Sequence, residues 1–80
     1  MSSIAFSEHA LYQLRKRDIT KKEVLMAISQ PDKIVRQTKD RFQAIKKIGG
    51  RYLLVSIFDR TQSSLEVVTA FRTSKIKKYL

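Results

Sequence analysis

The first third of the chain repeats its apolar positions with a helical period. At about 100° per residue, Ala10, Leu11 and Leu14 share one stripe. Ser7 precedes this stripe and is a residue type that caps helix starts. The pattern predicts a helix from Glu8 to about Arg17.

A second helix is predicted directly after the first. Thr20 and Glu23 have the spacing of a capping box, in which each side chain bonds the backbone N–H of the other residue. The apolar residues that follow are Val24, Leu25, Ala27 and Ile28. Pro31 restricts the residue before it, so the helix is expected to end near Ser29. The two helices are predicted to form a helical hairpin.

From Lys33 onward the period changes to that of β-strands. The predicted strands cover residues 33–37, 41–48, 52–58 and 65–72. Gly49 and Gly50 are typical of a hairpin turn. The strand over residues 52–58 is apolar on both faces, which predicts a central position in the sheet.

The last strand and the residues after it complete the predicted fold. Strict alternation along this strand gives one face with Leu65, Val67, Thr69 and Phe71 and another with Glu66, Val68, Ala70 and Arg72. Thr73 or Ser74 is predicted to cap a short C-terminal helix. The order of elements predicts a single α+β domain over residues 1–80, with the helical hairpin packed on a four-stranded antiparallel sheet.

Composition and charge narrow the function. The chain has 80 residues, 42% of them hydrophobic, which is enough for a small core and excludes a disordered chain. Its 17 Lys and Arg outnumber 7 Asp and Glu and give a net charge of +10. Such a charge favours a polyanionic partner. Nucleic acid is the first candidate, an anionic membrane surface the second and an acidic protein the third.

Several classes of site and location are not expected. The chain has no Cys, which excludes disulfides, zinc–thiolate sites and a thiol nucleophile. The longest apolar run, Leu53–Val55, is too short to span a membrane, and Met1–Phe6 does not resemble a signal peptide. The sequence therefore predicts a cytoplasmic protein.

Metal-free chemistry on RNA is compatible with the residues present. The acidic residues are scattered and His9 is the single histidine, so neither a metal nor a cofactor is predicted. RNA carries its own nucleophile, the 2′-hydroxyl, and an enzyme need add only proton-transfer groups and cations. Residues that could supply them are His9, Lys46, Lys47, Arg51, Arg72, Lys75, Lys78 and Tyr79.

Each candidate also has a purely structural interpretation. A lone His on the polar side of a helix is more often a surface residue than a catalytic one. Lys46 and Lys47 point to opposite faces of a strand, so at most one of them faces a given cleft. Thr69 suits a strand without any chemical role.

Four segments in order resemble a known family. Phe6–Ala10, Arg17–Ile19, Gln30–Ile34 and Val67–Arg72 are similar to the motifs of domain of unknown function 4258, a family of small bacterial and phage proteins. The resemblance extends from Phe6 to Arg72. The family typically opens with Phe-Ser/Thr-x-His-Ala-x-x-Arg and continues with Arg-Gly-Ile and a late strand Val-Val-Thr-x-Tyr.

The resemblance implies a fold and an activity. The family is similar to RelE-type toxins, which are grouped with barnase-like and colicin-like ribonucleases. It implies a curved antiparallel sheet backed by a helical hairpin, and metal-independent RNA cleavage by the toxin of a toxin–antitoxin pair. The positions that match the motifs and are expected to be catalytic are His9, Arg17 and Thr69.

This chain departs from the motifs at three positions. Gln13 replaces a frequent Arg, Asp18 replaces Gly, and Phe71 replaces Tyr. These departures keep two alternatives open beside the ribonuclease: a non-catalytic RNA-binding or regulatory protein, and a module that binds an acidic protein. The expected partners are RNA and an acidic antitoxin. The residues expected to bind nucleic acid are Lys46, Lys47, Arg51, Arg72, Lys75 and Lys78.

Overall fold

The computed structural model describes residues 3–80, so Met1 and Ser2, which belong to the predicted domain, lie outside the described part. Within residues 3–80 the chain forms five strands and three helices, which confirms the α+β class. In chain order these are β1 (Ser3–Phe6), α1 (Glu8–Lys16), α2 (Lys21–Ser29), β2 (Lys33–Arg36), β3 (Arg41–Ile48), β4 (Tyr52–Arg60), β5 (Ser64–Thr73) and α3 (Ile76–Tyr79). No helix in this part of the chain is both long and apolar enough to cross a membrane.

Local capping signals position α1 and α2 as the sequence predicts. The Ser7 hydroxyl accepts a hydrogen bond from the Ala10 N–H at 3.0 Å and starts α1. Thr20 and Glu23 form the complete capping box of α2. Between the helices Asp18 has a φ of 55°. Glycine adopts this left-handed conformation without strain and Asp tolerates it, so the tight joint explains the glycine of the family motif.

The sheet differs from the prediction by one strand. Its order is β1-β5-β4-β3-β2, with β4 in the centre as predicted. β1 pairs parallel to β5, and the other neighbours pair antiparallel, so the sheet is mixed and five-stranded rather than antiparallel and four-stranded. Ser3–Phe6 has too few residues for a periodic pattern, so the sequence did not predict this strand. The strand is stabilised by pairing with the edge of β5, far away in sequence.

A β-bulge corrects the predicted faces of β5. Ile57 pairs with Thr69, whereas Phe58 pairs with Val67, so Val68 is an extra residue in β5. The bulge reverses the alternation at this point. Val67 therefore lies with Ala70 in one core cluster, although strict alternation assigned these two residues to opposite faces.

Apolar residues cover both sides of the sheet. On the side that we call the helix side, α1 and α2 bury Ala10, Leu14, Val24 and Ala27 against the sheet. The opposite side, which we call the α3 side, has a smaller core of Ile45, Leu53 and Val55, with Phe71, Ile76 and Tyr79 packed against it. The short α3 thus covers the second apolar face of strand β4, which carries Leu53 and Val55.

The β3–β4 turn agrees with the sequence prediction, whereas the start of α3 does not. Gly49 and Gly50 have φ values of 61° and 75°, and they form the predicted turn between β3 and β4. The predicted cap of α3 is wrong: Lys75 is the residue before the helix, and it makes no capping bond through its side chain. The Thr73 hydroxyl instead accepts a hydrogen bond from the Lys75 N–H at 3.1 Å.

Candidate active site at the edge of strand β5

Strand β5 has an edge that is paired in one half and open in the other. β1 pairs with Ser64–Val67 and then ends at the Ser7 N–H, which donates to the Val67 carbonyl at 3.1 Å. From there α1 runs along the rest of β5. The backbone of β5 beyond Val67 is therefore accessible to side chains from α1.

Arg17 and Thr69, two of the three expected catalytic residues, meet at this open edge. Arg17 follows the last turn of α1, and its Nη1 donates to the Ala70 carbonyl at 2.8 Å and to the Thr69 hydroxyl at 3.3 Å. Arg17 is exposed and Thr69 is half-buried. A guanidinium and a hydroxyl side by side on an accessible edge can together hold a phosphate group.

His9, the third expected residue, does not contact this pair. It is exposed on the first turn of α1. At about 1.5 Å of helical rise per residue, its Cα lies about 12 Å along the helix from that of Arg17. The start of α1 is held at Val67, so Thr69 lies along the edge between the two ends of the helix.

Arg72 connects the sheet with the joint between the two helices. Its Nη1 donates to the Arg17 carbonyl at 2.9 Å, and its Nη2 donates to the Asp18 carbonyl at 3.0 Å and to Glu23 Oε2 at 3.2 Å. The guanidinium also lies 5.7 Å from the centre of the Tyr52 ring. Arg72 thus binds the backbone of Arg17, whose side chain reaches Thr69.

The Glu23 carboxylate is stabilised in its charged form. Partial burial raises its pKa, but hydrogen bonds from Thr20 and the charge and hydrogen bond of Arg72 outweigh burial, so the pKa lies below its ordinary value. Glu23 therefore serves the capping box and the Arg72 network at once. The charge of Arg72 is paired with that of Glu23 at 3.2 Å.

The other expected nucleic-acid-binding residues lie on different sides of the sheet. Lys46 donates from Nζ to the Gln30 carbonyl at 3.0 Å, at the end of α2 on the helix side. Lys47 pairs in register with Leu53, whose side chain lies on the α3 side, where the α3 region also carries Lys75 and Lys78. Arg51 is exposed in the β3–β4 turn. The sheet does not gather all six cations on one surface.

Tyr79 lies beside the position where the family motif has a tyrosine. Its ring packs edge-on against Phe71, with 6.1 Å between ring centres. Phe71 is two residues after Thr69 on β5. The sequence suggested no position for Tyr79, because only the folding of α3 onto the sheet brings it to this strand.

Sequence reasoning missed a second ion pair, between Arg41 and Asp59, which lies on the α3 side of the sheet. Arg41 donates to both carboxylate oxygens of Asp59, at 2.7 and 3.0 Å. These hydrogen bonds hold the pKa of Asp59 below its ordinary value. The register of β3 and β4 would have revealed the pair, since the two residues are directly opposite. Within residues 3–80 no three His, Asp or Glu side chains form a cluster that could hold a metal ion.

Comparison with known families agrees with these motifs. Residues 6–78 match the family described as domain of unknown function, DUF4258. The chain belongs to this family. The match covers α1, the joint at Asp18, and β5 with Thr69, so the open edge of β5 is part of the DUF4258 domain. A search of curated proteins finds no match.

A solved structure has the same fold. The chain is similar to the crystal structure of the Brucella abortus ribonuclease toxin BrnT, with a TM-score of 0.65 and 20% sequence identity. The similarity covers 94% of this chain and 100% of the BrnT chain. At this identity the likeness establishes a shared fold. The helices and strands of the DUF4258 chain correspond to those of BrnT over nearly its whole length.

Proposed function

We propose that this DUF4258 protein is the ribonuclease toxin of a toxin–antitoxin pair and cleaves RNA without a metal ion. The observation that supports this most directly is the contact of Arg17 with Thr69 at the open edge of β5. It joins two motif positions, 52 residues apart in sequence, on a fold shared with a ribonuclease toxin. A net charge of +10 suits an RNA substrate.

Arg17 and Thr69 are assigned to the phosphate. Attack by the 2′-oxygen on phosphorus forms a 2′,3′-cyclic phosphate and breaks the bond to the 5′-oxygen, which leaves as a hydroxyl with a proton taken from water. The attack places extra negative charge on the phosphate oxygens, and a guanidinium held near them stabilises that charge. Arg17 donates through Nη1 to β5 and keeps further N–H donors for substrate. The Thr69 hydroxyl orients a phosphate oxygen and transfers no proton.

His9 is assigned to the proton of the 2′-hydroxyl. An imidazole can accept that proton near neutral pH. His9 is exposed and therefore accessible to RNA. The Cα atoms of His9 and Arg17 are about 12 Å apart along α1, and both side chains are exposed. The assignment therefore requires one RNA segment to contact both residues.

The departures from the family motif are compatible with this assignment. Asp18 adopts the left-handed backbone that a glycine would provide. The ring of Tyr79 packs on Phe71, and Tyr79 is assigned to supply the phenolic hydroxyl that Phe71 lacks. Lys47, Lys75 and Lys78 lie on the same side of the sheet as Tyr79 and are assigned to RNA phosphates.

The partner that controls such a toxin is proposed to be an acidic antitoxin. A protein that covers the open edge of β5 would exclude RNA from Arg17 and Thr69. Complementary charge would make its association fast and dependent on salt.

Gln13 favours one alternative function. It is half-buried on α1 where the family often has an arginine, and it removes one cation from the face that precedes Arg17. A protein with this change could bind RNA on the same edge without cutting it. This alternative differs from the first proposal only in the chemical step.

Replacement of His9 tests the chemical step. We expect His9→Ala and His9→Asn to lower the rate of RNA cleavage by about 10²- to 10⁴-fold, the usual effect of losing an acid–base group. RNA affinity should change far less, and a chelator should have no effect. The measurement is cleavage of a labelled RNA, with binding followed by fluorescence anisotropy.

Two other outcomes have clear meanings. Cleavage at the wild-type rate by both variants would move proton transfer away from His9. Intact RNA with wild-type protein, together with normal binding, would favour the non-catalytic RNA-binding protein.

A further inference from the structure

The end of the sheet farthest from α3 has a basic cavity on the helix side. Its volume is about 490 Å³, which is within the range of small-molecule sites. It lies between the β2–β3 turn and the β4–β5 turn. Its charged and aromatic lining consists of Arg36, Lys39, Asp40, Phe42 and Arg60.

The cations of this cavity are free of carboxylate partners. Arg36, Lys39 and Arg60 form no ion pair within residues 3–80, whereas Arg41 and Arg72 are both paired with carboxylates. Asp40 is the one acidic residue of the lining, so the cavity has a net charge of +2 from three cations and one anion. An unpaired excess of this kind attracts a phosphate group.

A row of planar groups leads into the cavity. Arg36, Phe42 and Phe58 are neighbours across β2, β3 and β4. The Phe42 and Phe58 rings stack with 5.7 Å between centres, and the Arg36 guanidinium carbon lies 5.8 Å from the centre of Phe42. Since Phe42 is on the middle strand, Arg36 and Phe58 flank it from opposite sides.

The Arg36 guanidinium, at the outer end of this row, is held by hydrogen bonds to the backbone. Arg36 donates from Nη2 to the Lys39 carbonyl at 2.9 Å and from Nε to the Thr38 carbonyl at 3.3 Å. These bonds hold the guanidinium in place without neutralising it. RNA bases stack on aromatic rings and on guanidinium planes, and such stacking suits any base.

We propose that this cavity binds a nucleotide of the single-stranded RNA substrate away from the cleavage point, with its base on Arg36 and its phosphate between Lys39 and Arg60. The proposal rests on the ribonuclease function proposed above. It adds a second contact region that determines the affinity for long RNA.

The cavity is separate from the site at Arg17 and Thr69. Arg60 lies three residues along β4 from the partner of Thr69, about 10 Å at the usual rise, and the cavity extends two strands further across the sheet, about 10 Å more. Thr69 and the cavity are also on different sides of the sheet. RNA that reaches both must cross the sheet end at Thr61 and Gln62, which line the cavity.

The test removes the phosphate contacts and leaves the turns intact. Arg36 supports the β2–β3 turn, so the variant is Lys39→Gln with Arg60→Gln. The control is Lys22→Gln with Arg15→Gln, an equal loss of charge at two exposed positions on the helices. Circular dichroism confirms that both double variants are folded.

Binding of a long RNA oligonucleotide is measured over a series of salt concentrations. The cavity variant should bind about tenfold more weakly, and its slope of log affinity against log salt should be smaller by about 0.7, the change for the one phosphate contact that Lys39 and Arg60 share. The control variant should keep the wild-type slope. Equal weakening by both variants, or an unchanged slope in the cavity variant, would overturn the proposal.

Cleavage separates this proposal from the ribonuclease function. With a long RNA the cavity variant should show a higher KM and an unchanged kcat, and with a dinucleotide it should match the wild type. Loss of activity on the dinucleotide would contradict the separation of the two regions. If wild-type protein cleaves no RNA, the ribonuclease proposal fails, while the binding measurement still decides the cavity.

Discussion

At the scale of single residues, the same side-chain type has different functions according to its partners. Arg17 reaches an accessible strand edge, Arg41 is paired with Asp59, and Arg72 bonds two backbone carbonyls and Glu23. The sequence lists the cationic residues and indicates which of them match a family motif. It could not predict their partners, because these lie up to 55 residues away in the chain.

Tyr79 provides a test at this scale. We expect Tyr79→Phe to lower kcat/KM for RNA by about 10- to 100-fold, because a hydrogen bond to a charged group is worth about 1.5–3 kcal/mol. The ring and its packing on Phe71 are retained in this variant. The rate is measured with the same RNA oligonucleotide for both proteins.

The matched control is Tyr52→Phe, which removes a hydroxyl from a ring on the helix side of the sheet, opposite to the side on which Tyr79 packs. It should cleave as the wild type does. Equal rates for Tyr79→Phe and the wild type would show that Tyr79 only packs against the sheet.

At the scale of elements, local signals predicted more than long-range ones. The caps at Ser7 and Thr20 and the turn at Gly49 depend on neighbouring residues, and the structure confirms them. Strand β1 and the bulge at Val68 depend on pairing across the sheet. They were missed because neither leaves a periodic pattern in its own segment.

The joint between α1 and α2 is the element that holds Arg17 in position. We expect Arg72→Lys to lower the free energy of unfolding by about 1–2 kcal/mol, since an ammonium group cannot reach three acceptors with the planar geometry of a guanidinium. RNA cleavage should fall as well, through displacement of Arg17. Urea denaturation and cleavage kinetics measure the two effects.

Arg51→Lys is the control, because Arg51 is exposed in a turn. It should unfold as the wild type does. If Arg72→Lys retains full stability but loses affinity for RNA, Arg72 faces the substrate, as the sequence alone suggested, and the structural role is wrong.

At the scale of the whole molecule, the charge of +10 is distributed rather than concentrated. Lys47, Lys75 and Lys78 lie toward α3, whereas the cavity with Lys39 and Arg60 is at the other end of the sheet. Composition predicted a polyanionic partner but not this arrangement. A single-stranded RNA that follows the β5 edge and crosses the sheet end would contact both regions.

The most direct test of the account is the product of RNA cleavage by purified wild-type protein in the presence of a chelator. Attack by the 2′-hydroxyl should leave a 2′,3′-cyclic phosphate on the upstream fragment, detected by mass spectrometry. The same sequence made entirely of 2′-deoxynucleotides should remain intact. Cleavage of the deoxy strand, or activity that disappears with the chelator and returns with a divalent metal, would contradict the proposed mechanism.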